Sequence, residues 1–272
     1  MIGNQLGELL FREGHQVTQT YRMQKPVGIP TFRFDLCNDH DIQKLDISKS
    51  DYIFITAVNK NSGENSLMGV ANIDLQKMAK LIDKIGKSGC PFYFFSSSQV
   101  FDGKIPNIDA AASYKPINDY GKEKMLIEKQ ILSHTSNGQI IRLGKIIGTK
   151  PNIFDSWKYS ANTGGVLTVH PNLHVSPLST KAISEIIAKE FSYPATNNRI
   201  HQFSSCMDIS YLQIAIQILG NEYQFNDRII LRPFRAHRLE RTRNHFASLR
   251  PSGMFLSQLQ DSGYSSLKKY FE

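Results

Sequence analysis

The chain has 272 residues, 40% hydrophobic and 21% charged, which suits one large α/β domain or a domain with an appended lobe. No apolar run approaches the roughly 18 residues of a membrane span, no basic-then-apolar leader opens the chain, and three isolated cysteines exclude a disulfide framework and fit a reducing, cytoplasmic setting. A net charge of +8 admits either nucleic acid or a small phosphate-bearing ligand as partner, and no Cys/His cluster supports a metal site.

In chain order, residues 4–12 read as an amphipathic helix closed by Gly14 and His15. Gln16 to Tyr21 and Thr31 to Asp35 read as strands, and Asp39 to Leu45 as a helix. Tyr52 to Ala57 is a continuous apolar run of the kind buried in parallel sheets. Asn72 to Ser88 carries Leu75, Met78, Ala79, Ile82 and Ile85 at helical spacing, with Asn72 as a cap or a relay residue. Pro91 to Ser96 is the next buried strand, followed by a helix over 118–132 and a strand from Gln139 to Leu143. This alternation predicts an α/β, doubly wound, Rossmann-like parallel sheet, with ligands beyond the carboxyl ends of its strands, where Ala57 and Ser96 to Ser98 lie.

Residues 150–177, rich in Pro, Gly and Asn, read as loops and short elements. Thr180 to Phe191 and Ser210 to Leu219 read as helices, Arg199 to Phe203 as a strand, and 220–272 as short strands with a basic helix. The expected organisation is a dinucleotide-binding domain over 1–150 and 178–206 and a smaller C-terminal substrate lobe over 151–177 and 207–272. Arg228, Arg232, Arg235, Arg238, Arg241, Arg243 and Arg250 concentrate charge late in the chain. Most read as a solvated basic face; Arg232 and Arg250, each beside a proline, are the candidates to clamp a diphosphate.

Tyr120 and Lys124 stand four apart at the start of a helical run, hence on one helix face. Free tyrosine titrates near pH ~10, and a cation within about 4–6 Å favours the phenolate, so the pair predicts a phenol usable as proton donor and acceptor. Tyr21–Lys25 and Tyr264–Lys268 share the spacing. Lys25, however, precedes Pro26, which disfavours helix, and no serine-ended strand lies upstream of Tyr264. Tyr120 has such a strand, ending in Ser96-Ser97-Ser98.

The stretch Ser96-Ser97-Ser98-Gln99-Val100-Phe101-Asp102-Gly103 resembles the Ser-Thr-x-x-Val-Phe-x-Gly segment of extended short-chain dehydrogenase/reductases, most of all the dTDP-4-dehydrorhamnose reductase group. Pro116 to Lys124 resembles that group's Pro-x-x-x-Tyr-Gly-x-x-Lys, and Ile141-Arg142-Leu143, Ser176 to Ser179 and Arg250-Pro251 resemble later segments. The resemblance implies Tyr120 as acid/base, Lys124 as its activator and a cofactor ribose contact, and Ser97 as hydrogen-bond partner of the substrate carbonyl. Val100 and Phe101 would join Arg232 and Arg250 against the substrate. The implied reaction is NAD(P)H-dependent reduction of a keto group on a nucleotide-activated deoxysugar. The implied partner is that nucleotide sugar, with neither nucleic acid nor membrane, and the group's habits allow a homodimer.

Gly3 resembles the last glycine of a phosphate-binding turn, so a strand and earlier glycines, on the order of ten residues, would be expected before Met1. The chain then reads as a truncated enzyme or as a relative with weakened cofactor binding. Arg22 stands where an acid would hold the NAD ribose, which points to NADP(H) over NAD(H); the alternative is a loop arginine. Asp35 and Leu36 resemble the pair beside adenine, and Asp35 also suits a helix cap; Ala57, at a strand's carboxyl end, is a further candidate to touch the cofactor. Ser98 and Gln99 occupy the positions at which sugar-nucleotide dehydratases carry Asp-Glu, which disfavours dehydration, while Gln99 replaces a tyrosine common in the reductases. The competing readings are a nucleotide-sugar epimerase using the same three residues and a non-catalytic regulatory subunit that binds NAD(P) or a nucleotide sugar. Nucleic-acid binding through the arginine-rich tail, with steep salt dependence, rests on charge alone.

Overall fold

The computed structural model describes residues 2–56, 68–148, 153–191, 199–205, 207–219, 229–233 and 244–251. The first half alternates as its periodicity predicts: α1 (Ile2–Arg12), β1 (Gln19–Tyr21), β2 (Thr31–Arg33), α2 (Asp39–Lys44), β3 (Ile53–Ile55), α3 (Met68–Ser88), β4 (Phe92–Ser97), α4 (Asp119–His134) and β5 (Gly138–Leu143). The second half contains β6 (Ile146–Ile147), α5 (Ile153–Thr163), β7 (Leu167–Val169), β8 (Leu173–Val175), β9 (Leu178–Ser179), α6 (Thr180–Phe191), β10 (Ile200–Phe203), β11 (Ile209–Ser210), α7 (Tyr211–Leu219), β12 (Ile229–Leu231) and β13 (His245–Phe246).

Four parallel strands form the central sheet in the order β10-β5-β4-β3, and β1 pairs in parallel with β2. Side chains alternate across each strand, and this divides the core. On one face, Leu6 and Leu10 of α1 and Ile183, Ile186 and Ile187 of α6 pack on Phe95, Ile141, Leu143 and Phe203. On the other, Met78, Ile82 and Ile85 of α3 and Ile127 and Ile131 of α4 pack on Phe92, Phe94 and Ile140. Each fully buried side chain of this kind contributes about 1.5–3 kcal/mol. Helices on both faces of parallel strands give the doubly wound arrangement.

A second core joins α5, β7, β8 and α7. The rings of Phe154, Trp157 and Tyr211 meet edge-on with centroids 5.6, 5.7 and 5.8 Å apart. Helix α5 corrects the expectation of loops over 150–177: Phe154, Trp157 and Ala161 are buried at spacings of three and four, inside a segment whose flanking Pro, Gly and Asn hide the pattern. Helix α3 begins at Met68, so Asn72 lies within it and is not its cap. No described helix is long and apolar enough to cross a membrane.

Candidate active site

Strand β4 delivers Ser97 as its last residue, and Ser97 also caps a short 3-10 turn over Ser98–Val100, its Oγ accepting from the Gln99 N–H at 3.2 Å. Helix α4 opens against this turn. Asn118 caps it, Oδ1 accepting from the Gly121 N–H at 2.8 Å, while Nδ2 donates to Gln99 Oε1 at 2.8 Å. A Cβ on Gly121 would lie 2.0 Å from the Gln99 carbonyl oxygen, so helix and turn meet backbone to backbone. This clasp brings the Tyr120 phenol to the Ser97 hydroxyl, whose hydrogen bond pulls the phenol pKa down. Burial outweighs that effect, and with Glu123 nearby the phenol is pushed up to about 12.

Lys124 is buried beneath them. Its Nζ donates to the Phe95 carbonyl at 2.9 Å and lies 4.4 Å from the Phe94 ring centroid and 5.7 Å from that of Tyr120. Burial lowers its pKa to about 8. The three expected residues therefore converge, but the phenol's pKa is raised where the nearby cation was expected to lower it. The ammonium is taken by a backbone carbonyl and sits by the Tyr120 ring, so burial decides and the phenol keeps its proton. A protonated phenol beside a serine hydroxyl can donate a proton to an oxygen that gains charge.

Sequence reasoning missed the polar web below this site. Ser96 points to the opposite face from Ser97 and donates to Glu128, which is fully buried. Tyr114 donates to Glu128 Oε2 at 2.8 Å, and Arg142 reaches the same carboxylate through Nε and Nη2, the latter at 2.7 Å. Arg142 Nη1 donates to the Ala110 carbonyl at 3.0 Å and to Gln202 Oε1 at 3.2 Å, and its guanidinium lies over the rings of Phe101 and Tyr114. Two sequence signals were available: Glu128 is four residues after Lys124 on one helix face, and Arg142 interrupts an apolar strand.

Val100 and Phe101 do not face a substrate: at 0% and 3% exposure they form a small core with Leu249. Arg250 is exposed and paired with Asp109 at 2.9 Å. Arg232 follows β12 on the surface, and no described contact brings either arginine to Ser97, Tyr120 or Lys124. Ala57 and the other five late arginines lie outside the described residues.

At the same carboxyl end of the sheet, one strand over, Gly3 lies in the first turn of α1. A Cβ there would meet Thr56 Oγ1 at 2.5 Å, and Gln19 Nε2 donates to the Gly3 carbonyl at 2.9 Å. The N-terminus of α1 thus rests against the carboxyl end of β3 and beside β1, the place where a fold of this type presents helix N–H groups to a diphosphate. Arg22, just past β1, pairs with Asp35, just past β2, at 3.2 Å. Asp35 is not the cap of α2; Asn38 fills that role. Leu36 packs against the core under α3. A close-packed glycine at a helix N-terminus, an exposed arginine at the end of β1, and Lys124 beside Tyr120 fit a dinucleotide.

His170 and His174 do stand four apart, a spacing that a helix could turn into a metal pair, but they flank the start of a strand. His174 stacks on Phe246 at 5.1 Å, and no group of three or more His, Cys, Asp or Glu among the described residues could hold a metal ion.

The sequence model described as the NAD dependent epimerase/dehydratase family matches residues 1–168. No curated protein matches the chain. Among solved structures, a hypothetical dTDP-4-dehydrorhamnose reductase from Sulfolobus tokodaii is 19% identical, with a TM-score of 0.75 over 96% of this chain and 92% of its own. The dTDP-4-dehydrorhamnose reductase of Bacillus anthracis, in complex with NADP, is 16% identical with a TM-score of 0.75 over 99% and 93%. The Bordetella bronchiseptica enzyme WbmG, in complex with NAD and UDP, is 11% identical with a TM-score of 0.74 over 100% and 90%. At these identities the likeness is one of fold.

Proposed function

The chain belongs to the NAD dependent epimerase/dehydratase family, whose members are NAD(P)-dependent enzymes, and from that premise we propose that it reduces a keto group on a nucleotide-activated deoxysugar, with NADP(H) favoured over NAD(H). The observation that carries this reading is the pairing of the Ser97 hydroxyl with a Tyr120 phenol held in its protonated form. When bound, the nicotinamide supplies the hydride. Tyr120 gives its proton to the carbonyl oxygen as that oxygen becomes a hydroxyl, and the Ser97 O–H steadies the oxygen while charge grows on it. The Lys124 ammonium, held by the Phe95 carbonyl and 5.7 Å from the Tyr120 ring centroid, would contact the cofactor ribose. Elimination chemistry has little support, because Gln99 stands at one position where a second acid/base would be needed and is engaged by Asn118.

Arg22 motivates the NADP preference, since an exposed guanidinium at this strand end suits an extra phosphate. The fold neighbours that are dTDP-4-dehydrorhamnose reductases support the sugar class. In this reading Gly3, Arg22, Asp35 and Lys124 hold the cofactor, and the lobe over 151–177 and 207–272, built around the second core, receives the sugar.

Tyr120→Phe tests it. With NADPH and a dTDP-4-keto-deoxysugar, kcat falls by roughly 10²–10⁴ while the circular dichroism spectrum is unchanged. Turnover at the wild-type rate would overturn the assignment. Tightly retained NAD that is recycled, with no net oxidation of NADPH, would point instead to epimerisation by the same three residues.

A further inference from the structure

Lys145 is a half-buried cation that the proposed reduction does not use. It follows Gly144, whose N–H still bonds the Phe203 carbonyl at 3.0 Å and so carries the ladder past β5. Leu143 is the register partner of Ser97. Lys145 lies two residues beyond Leu143, in the link between β5 and β6, at the carboxyl edge where Ser97 also lies. Its backbone is fixed, the carbonyl accepting from the Leu178 N–H at 2.9 Å.

The ammonium lies 5.5 Å from the Phe154 ring centroid, against the second core, and burial pushes its pKa below that of an ordinary lysine. Lys77, Lys80, Lys104 and Lys122 each pair with an aspartate. Among the described residues, no carboxylate pairs with Lys145. A half-buried cation gains from a counter-charge, and an aromatic face supplies only part of it. Ligands of such sheets bind at the carboxyl edge, where Lys145 lies.

Building on the reductase reading above, we propose that Lys145 pairs with an anionic oxygen of the substrate, within reach of the carbonyl that Ser97 holds. That oxyanion belongs either to the diphosphate of the nucleotide or to a carboxylate on the sugar. In both cases Lys145 is a specificity-determining residue that makes neutral ligands poor ones.

Lys145→Met keeps the apolar stem over Phe154 and removes the charge. Calorimetry on wild-type protein and variant would use three probes: inorganic pyrophosphate, UDP-glucose and UDP-glucuronate. A phosphate partner weakens all three in the variant by roughly tenfold or more, the scale of one charge-assisted hydrogen bond. A carboxylate partner weakens UDP-glucuronate alone. In either case Lys145→Arg regains most of the affinity. Equal affinity of wild type and variant for every probe would overturn the assignment, as would failure of the wild type to bind any of them. Pyrophosphate binding through Lys145 without turnover of any nucleotide sugar would leave the anion site standing and remove the reductase reading instead. Should Lys145→Met fail to fold, acetylation of Lys145 in the wild type, read by peptide mass spectrometry, decides the matter. Protection by a probe supports the site, and unchanged labelling by all three overturns it.

Discussion

Tyr120 and Lys124 titrate in opposite senses for the same reason: burial disfavours the charged form of each, raising the phenol to about 12 and lowering the amine to about 8. The proton donor is therefore present across the working range, and the ammonium is the group lost first. We expect kcat/KM for reduction to fall as pH rises through about 8. Lys124→Met should remove that limb of the profile and lower kcat, and rates measured from pH 6 to 10 check both points. Arg22→Ala should lower kcat/KM for NADPH roughly tenfold, as loss of one hydrogen bond to a charged group does, and leave NADH nearly unchanged. Its exposed pair with Asp35 is worth little to stability, so the melting temperature should hold. The spacing made Ser97, Tyr120 and Lys124 legible in the sequence, because four residues define a helix face. It could not show that Lys124 would choose the Phe95 carbonyl, a partner 29 positions away. Val100 and Phe101 misled for a similar reason: a motif gives their identity but not the direction of their side chains.

Helix α4 and the turn after β4 act as one unit, joined by the Gln99–Asn118 hydrogen bond and by the absence of a side chain at Gly121. Gly121→Ala would press a methyl onto a backbone oxygen, which neither element can yield without moving Ser97 relative to Tyr120. We expect about 1–3 kcal/mol of destabilisation, with kcat falling more than the KM for NADPH changes; urea titration and steady-state kinetics separate the two effects. Glu128→Ala would leave the Arg142 guanidinium buried without its carboxylate, at a cost of about 3–5 kcal/mol, readable as a lower urea midpoint. Elements with strong local periodicity, such as α3, α4 and α6, were legible to within a few residues. Helix α5 was not, since its three buried positions lie among residues that signal turns.

The alternation of the first half was enough to give a parallel sheet covered on both faces, because each local pattern agrees with the global arrangement. The second half was less readable: β7 pairs with β12 and β8 with β13, strands more than 60 positions apart with no local signal to join them. Stability should also depend on pH through the molecule as a whole. Tyr114, Tyr120 and Tyr211 are each raised to about 12, chiefly by burial, so between about pH 10 and 12 the unfolded chain sheds protons that the folded chain keeps, and stability falls. Lys124 works the other way: between its lowered folded value and about 10.5 the unfolded chain binds the extra proton, so stability rises with pH there. Urea midpoints should therefore hold or climb up to about pH 10 and drop beyond it. Arg142 grips α4, β10 and the Ala110 segment at once. A lesion at that guanidinium orphans three acceptors in three stretches of chain, so a genetic screen for restored function should return no lone second-site revertant. Rescue would have to arrive as a set of coordinated changes, and homologous chains that lack this arginine should differ at Glu128 and Gln202 together.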